Sequence, residues 1–228
     1  MKQIRILDRL ELSFQGVKTT DNEEVALRQG DMDGACGPYS VLMGLIYQGA
    51  VTRDEVTSLA RLDGRTRIGK FMNSLYEFNA MVRDGTDEDD LVRLGNYFKS
   101  SPYSQINIEP LKAKSTKELA HRTADAIDGD KPVLIWIDWQ GGGAHWALVV
   151  GYEFVDSDDS GSIITKLLLL DPSEETPRLS YWNGVIHVTN ESGKVINSGQ
   201  FPSDHWAANG EVTSCKIRLG LEMTKESF

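Results

Sequence analysis

Residues 131–172 read KPVLIWIDWQGGGAHWALVVGYEFVDSDDSGSIITKLLLLDP. Three β-branched or apolar runs, Val133–Trp139, His145–Phe154 and Ile163–Leu170, are separated by glycine and aspartate clusters, the pattern of successive strands with turns between them. The stretch VDSDDSGS between the second and third runs predicts an exposed hairpin tip, which sets the end of one run beside the start of the other. Further strands are expected near 178–189, 194–200 and 212–222, with NESG at 190–193 as a turn.

Upstream of Gly129 the periodicity is helical. GPYSVLMGLIYQ at 37–48 is apolar on nearly every side, as in a helix enclosed by protein. Thr52 to Glu55 has the form of a capping box opening a helix to about residue 61. Ile68, Phe71, Met72, Leu75 and Phe78 recur at helical spacing over 67–80. Thr86 to Asp89 has the cap form again, starting a helix to about Lys99, with the acidic run Asp87 to Asp90 complementing the helix dipole. Ser115 to Glu118 caps a helix ending near Asp128. Helices first and strands second predict an α+β protein of two packed lobes within one domain, helical over about 29–130 and β over about 131–228.

The chain has 228 residues, enough to bury roughly 70% of its unfolded surface without staples. Lys and Arg number 24 against 34 Asp and Glu, a net charge of −10, which repels phosphate backbones and argues against nucleic-acid binding. The opening MKQIRILDRLELSF breaks every apolar run with a charge, so no signal peptide is expected. Gly34 to Thr52 is free of charge over nearly a bilayer's length, but its glycines, Pro38, tyrosines and Gln48 favour a buried helix over membrane insertion. Two cysteines exclude a disulfide framework, and a reducing cytoplasm is the simplest setting. No phosphate loop, dinucleotide fingerprint, zinc motif or EF-hand spacing is present, so neither cofactor nor metal is expected.

Cys36 stands between a glycine-rich approach (Gly30, Gly34) and a helix with Pro38 in its first turn, where unpaired amides and the dipole stabilise a thiolate. Most lone cysteines are small buried hydrophobes. Gly37 and Pro38 behind this thiol, with Gln29 upstream, favour a nucleophile. Such a nucleophile needs a base, and the base an orienting partner. His121 reads as surface, and His187 and His205 lack an obvious carboxylate partner. His145 follows Gly141 to Ala144 and opens a strand. Hairpin pairing sets Asp171 beside it, with a register open by one or two residues. Asp171 taken alone would be a turn residue before Pro172. Trp136, Trp139 and Trp146 cluster round this strand, with Trp146 placed to shield the pair from water. Gly34, Gly143 and Trp146 are the substrate-binding candidates.

QGDMDGACGPYS, then GGGAHWALVVGYE, then LLLLDP resembles the papain-like cysteine peptidase superfamily, and within it the bacteriocin-processing peptidases and their relatives. The resemblance covers residues 29–48 and 131–172. It implies a papain-like two-lobed fold, with a helical lobe carrying the cysteine and an antiparallel β lobe carrying the histidine. It also implies Gln29 as oxyanion-hole donor, Cys36 as nucleophile, His145 as base and Asp171 as orienter. Gln29 lies seven residues before Cys36, one more than is usual there, and the 26 residues from His145 to Asp171 also exceed the usual span.

The activity so implied is hydrolysis of an amide in a protein or peptide substrate. The same residues would serve deamidation, transglutamination or another amide acyl transfer, and an inactive binding protein on the same scaffold is the third class. Asp31 and Asp33 before the nucleophile read equally as turn formers or as a preference for basic or glycine-flanked peptides. A cytoplasmic protein, or an effector exported without a Sec-type signal, fits the opening sequence.

Overall fold

The computed structural model describes residues 1–30, 34–57, 63–77, 85–99, 105–156 and 161–226. In chain order these form β1 (Lys2–Ile6), β2 (Leu10–Ser13), β3 (Gly16–Thr19), α1 (Cys36–Tyr47), α2 (Arg53–Thr57), α3 (Arg67–Glu77), α4 (Glu88–Gly95) and β4 (Gln105–Pro110). α5 (Thr116–Asp128), β5 (Val133–Trp139), β6 (Ala144–Val155), β7 (Ile163–Leu170), β8 (Gly184–His187), β9 (Ser203–Ala207) and β10 (Val212–Glu226) follow. Asp31, Asp33, Phe78 and most of the hairpin tip between β6 and β7 lie outside the described residues.

The apolar runs pair as neighbours, and then close. β6 pairs with β5, β5 with β10, β10 with β9, β9 with β8, β8 with β7, and β7 returns to β6, so six antiparallel strands form a barrel. β1 adds to β6 and β4 to β10 as two further strands of the same sheet. Closure removes the edges that an open antiparallel sheet would expose. Val133, Ile135 and Ile137 of β5, Ala147 and Val149 of β6, Leu167 and Leu169 of β7 and Ile186 of β8 fill one face of the closed sheet, and Leu134, Leu148 and Leu170 on the opposite face are fully buried too, so these strands are covered on both sides.

This architecture corrects the expectation of a helical lobe beside a β lobe. The protein is mostly β, and β4, from the stretch expected to be helical, is built together with β1 into the same sheet as the later strands. The signal was weak because these are short strands that flank the barrel. QINIEP at 105–110 buries only Ile106 and Ile108, and KQIRI at 2–6 buries none of its residues fully, so neither shows an extended apolar run. Residues 194–200 contribute only an isolated bridge between Thr189 and Val195; the strand lies instead at β9.

The helices follow local chemistry more closely. α5 is capped by Ser115, whose side chain accepts from the Glu118 amide. α4 is capped by Asp87, one residue later than the sequence suggests, in a reciprocal box with Asp90. α1 has no side-chain cap, and all its residues except Tyr39 are buried. It lies on β6 and β10, where Gly44 faces Leu148 and the Met223 thioether closely enough that a Cβ would collide with the sulfur. Among the described residues, no helix is long and apolar enough to cross a membrane.

Gly151 sets how closely β1 lies on β6. A Cβ there would sit 2.5 Å from the Arg5 carbonyl oxygen and 3.2 Å from Ile6 Cα. These are backbone atoms that cannot swing aside. Gly151→Ala should therefore destabilise the protein by about 1–3 kcal/mol, the usual cost of overpacking. The expected readout is a lower urea midpoint at an unchanged m-value.

Candidate functional site

Each antiparallel strand pair brings a connection to one end of the barrel. At that end lie the last residue of β5 (Trp139), the first of β6 (Ala144), the last of β7 (Leu170) and the first of β8 (Gly184). The β6–β7 register pairs Leu148 with Leu170 and Val149 with Leu169. One further step sets Asp171 opposite Ala147, on the face that His145 shares two residues away. Diagonal neighbours of this kind are within side-chain reach. His145 Nε2 lies 2.7 Å from Asp171 Oδ1, and both residues are buried.

The carboxylate is held by more than the imidazole. Asp171 Oδ1 also accepts from the Ser173 amide (2.9 Å) and the Ser173 hydroxyl (2.7 Å). Asn183 clamps the backbone, its Oδ1 accepting from the Asp171 amide at 2.6 Å and its Nδ2 donating to the Asp171 carbonyl at 2.9 Å. Asp171 Oδ2 faces His205 Nε2 at 3.3 Å. That pairing has no signal in the sequence. His205 occupies a buried position of β9, far along the chain from any carboxylate it meets, and only the closure of the barrel brings it to Asp171.

Burial by itself would lower the pKa of His145. The charge and hydrogen bond of Asp171 outweigh burial, the neighbouring Cys36 adds in the same direction, and the ring is raised from 6.5 to about 10. For Asp171, burial acts upward, and it is overcome by the charge of His145, by hydrogen bonds from His145 and Ser173 and by the near approach of His205, which hold the carboxyl far below its usual range. With Nε2 engaged by Asp171, Nδ1 is the ring nitrogen left for Cys36. Cys36 begins α1 and is 8% exposed. The other thiol, Cys215, is fully buried, and burial followed by the charge of Asp204 pushes it up to about 12, which keeps it a protonated, poor nucleophile. Both cysteines are free.

The three tryptophans divide by strand alternation. Trp146 points away from His145. It is 2% exposed, and its indole N–H donates to the Thr86 carbonyl at 2.8 Å. Gly37 is the reason Thr86 fits, since a Cβ there would run into the Thr86 hydroxyl and lie 3.2 Å from Trp146 Cδ1. Trp146 is thus a strut between β6, α1 and the segment before α4, and lines no cleft with His145. Trp139 covers the pair instead. Its ring stacks on His145 with centroids 6.1 Å apart at 24°, and meets His205 edge-on at 5.1 Å and 70°. Trp136 packs on Trp146 at 5.3 Å, on the strut side.

The remaining sequence candidates lie around the rim. Gln29 donates its backbone N–H to the Pro172 carbonyl at 2.8 Å, which ties the approach to Cys36 to the residue after Asp171; among the described residues, its buried side-chain Oε1 has no hydrogen-bond partner. Gly143 is exposed, with φ at +86°, and Gly142 has φ at +91°, both in the left-handed region that favours glycine. Gly34 is half-buried, with its carbonyl 3.7 Å from where a Cβ of Gly85 would stand. His121 is exposed, and His187 packs edge-on against Trp206, away from this group. Among the described residues, no group of three or more His, Cys, Asp or Glu could hold a metal ion.

The two pKa shifts give the pair a pH signature. The raised His145 contributes stability that is complete below its ordinary value of 6.5 and is lost as pH rises through its folded value. The depressed Asp171 contributes above the ordinary carboxylate value of 3.8 and fails only in strong acid. The stability gap between the protein and Asp171→Asn should therefore be largest near pH 5.5 and shrink by pH 9.5, measured by urea unfolding at each pH. A gap that stays constant would mean that Asp171 does not hold His145 charged.

No protein-family model matches the chain, and no curated protein matches it in sequence.

Proposed function

We propose that the protein is a cysteine-dependent amide hydrolase, a peptidase acting on a protein or peptide and related to the papain-like peptidases that its motifs resemble. The observation that carries this reading is the buried imidazole of His145, bonded to Asp171 through Nε2, raised chiefly by that carboxylate, and neighboured by Cys36. A sulfur beside an imidazole that a carboxylate orients is the arrangement that thiol acyl transfer requires.

In the proposed reaction the Cys36 sulfur attacks the amide carbonyl carbon, and the C=O π electrons move onto oxygen. The oxyanion is met by the Cys36 backbone N–H and the Gln29 side-chain amide. As the tetrahedral intermediate collapses, the C–N bond breaks and His145 gives its proton to the departing amine. The neutral imidazole then takes a proton from water, which attacks the thioester carbonyl and releases acid and thiolate. Asp171 keeps the ring in one tautomer throughout and compensates its charge. Two free thiols fit a reducing compartment such as the cytoplasm.

The first test is chemical labelling. At pH 6, iodoacetamide should modify Cys36 and leave Cys215 untouched, and His145→Ala should slow the Cys36 reaction. The second is product analysis by mass spectrometry of candidate proteins incubated with the enzyme. New chain ends support peptidase action, a gain of about one dalton at glutamine would reassign the chemistry to deamidation, and amine adducts would reassign it to transglutamination. Cys36→Ala should abolish turnover with the fold retained, and Gln29→Ala should lower it by about 10²–10³-fold, the usual cost of one oxyanion donor. Turnover that survives in Cys36→Ala would overturn the proposal.

A further inference from the structure

We propose that His205 is a positioning residue, a second imidazole that fixes Asp171 from the side opposite His145. The inference rests on the thiol acyl-transfer reading above and extends the proposed triad by one residue. The two carboxylate oxygens of Asp171 are served unequally. Oδ1 receives His145 Nε2 at 2.7 Å and both donors of Ser173. Oδ2 is enclosed and, among the described residues, has no hydrogen bond of good geometry; His205 Nε2 faces it at 3.3 Å, an ion-pair distance off the line of a hydrogen bond. Among the described residues, His205 Nε2 is likewise enclosed with no hydrogen-bond partner, so the two unpartnered atoms face each other.

The surroundings are built for that contact. Gly184, at the start of β8, would carry a Cβ 3.2 Å from His205 Nε2 and 3.5 Å from Asp171 Cβ, so a glycine is what lets ring and carboxylate meet. Trp139 holds the edge of His205 while stacking on His145, which locks both imidazoles with one indole. The strand neighbours of His205 are uncharged: Ile186 on β8 and Thr213 on β10. The adjacent Asp204 is turned to Asn197 and Ser214. A residue needed only for bulk would pack on Trp139 without presenting a ring nitrogen to a buried carboxylate oxygen.

With both oxygens held, the carboxylate cannot turn about its Cβ–Cγ bond and stays ionised in spite of burial. With His205 gone, Oδ2 is a buried acceptor without a partner, and the grip of Asp171 on the His145 proton weakens. The effect reaches the sulfur only through Asp171 and His145.

NMR titration of the His145 ring tests this directly, in the full chain and in His205→Phe and His205→Gln. We expect His145 to titrate lower in His205→Phe by about one pH unit, with about a tenfold slower alkylation of Cys36 by iodoacetamide at pH 6. His205→Gln, whose amide can donate to Oδ2, should restore most of both. Gly184→Ala, which keeps the imidazole but crowds Nε2, should shift His145 the same way by less, and it decides the matter if His205→Phe does not fold. A purely structural role would lower the urea midpoint and leave the His145 titration where it is; that result in a folded variant overturns the proposal. A wild-type His145 that titrates at its ordinary value and ignores Asp171→Asn would instead overturn the underlying group, and this role with it.

Discussion

A one-residue irregularity in the β6–β7 ladder decides which face of the sheet Asp171 occupies. From Val155 paired with Ile163 the register runs regularly, shifts between Glu153 and Phe154, and shifts back between Val149 and Gly151. The second shift leaves Val150 as an extra residue on β6. In a two-residue pleat, a single slip moves every later side chain to the opposite face. Without the bulge at Val150, Asp171 would fall opposite Leu148, on the side covered by α1. With it, Asp171 falls opposite Ala147 and shares a face with His145. Packing enforces this register, because Leu148 and Leu170 are fully buried and neither could move to the other face without exchanging places with a carboxylate or an imidazole.

A buried carboxylate is costly unless its charge is answered. The barrel end answers it by convergence. Asp171 follows the end of β7, His145 lies at the start of β6, Trp139 ends β5, His205 stands in the middle of β9, and the 171–183 connection supplies Ser173 and Asn183. The two imidazoles and the indole arrive on different strands, so the arrangement is rigid to the extent that the barrel is closed. Cys36 comes from a helix. It is delivered by α1, whose position against β6 is fixed by two close approaches, Gly37 toward Thr86 and Trp146, and Gly44 toward Met223 and Leu148. The contrast with Cys215 shows what placement does to a thiol. One lies in the strand wall, where burial keeps it protonated; the other opens a helix beside a charged imidazole.

The sequence made some of this legible and hid the rest for definable reasons. Long apolar runs declared β5, β6 and β7, and cap chemistry declared α5 through Ser115. The order of those elements was readable, but closure was not, because closure depends on β10 pairing with β5, Cys215 opposite Trp139 at 76 residues' remove (215 − 139), and on bulges that leave no compositional mark. The lobed expectation failed at QINIEP and KQIRI, where short flanking strands show too little apolar run to be distinguished from loop. Within the site, Asp171 was reachable because it ends the strand adjoining His145 in the hairpin. His205 was not, because a histidine at a buried strand position looks the same whether it meets a carbonyl or a carboxylate. Trp139 and Trp146 were both visible as aromatic neighbours of His145, and only the pleat separates the one that covers the imidazole from the one that braces α1.

The barrel also bears on where the proposed peptidase would adapt to a substrate. In a two-lobed arrangement the walls of a cleft belong to different bodies, and their spacing can adjust to what lies between. Here His145, Asp171 and Trp139 belong to one closed sheet and its connections, whose strands cannot separate without breaking ladder hydrogen bonds on both sides. Adaptation is left to the connections at that rim and to the segment leading into α1. Among the described residues, chain neighbours aside, Gly141 and Gly142 have no atom within 4 Å of a would-be Cβ, so the 140–143 turn is open there. The 171–183 connection is the opposite case, pinned by Asn183 to Asp171 and Glu175, by Arg28 to Glu175 and by Gln29 to Pro172. Those last two contacts tie the strand carrying the carboxylate to the approach of the helix carrying the sulfur. A displacement of the approach to Cys36 is thereby passed to the residue after Asp171, which makes the distance between Cys36 and Asp171 a property of one connected loop pair rather than of two independent parts.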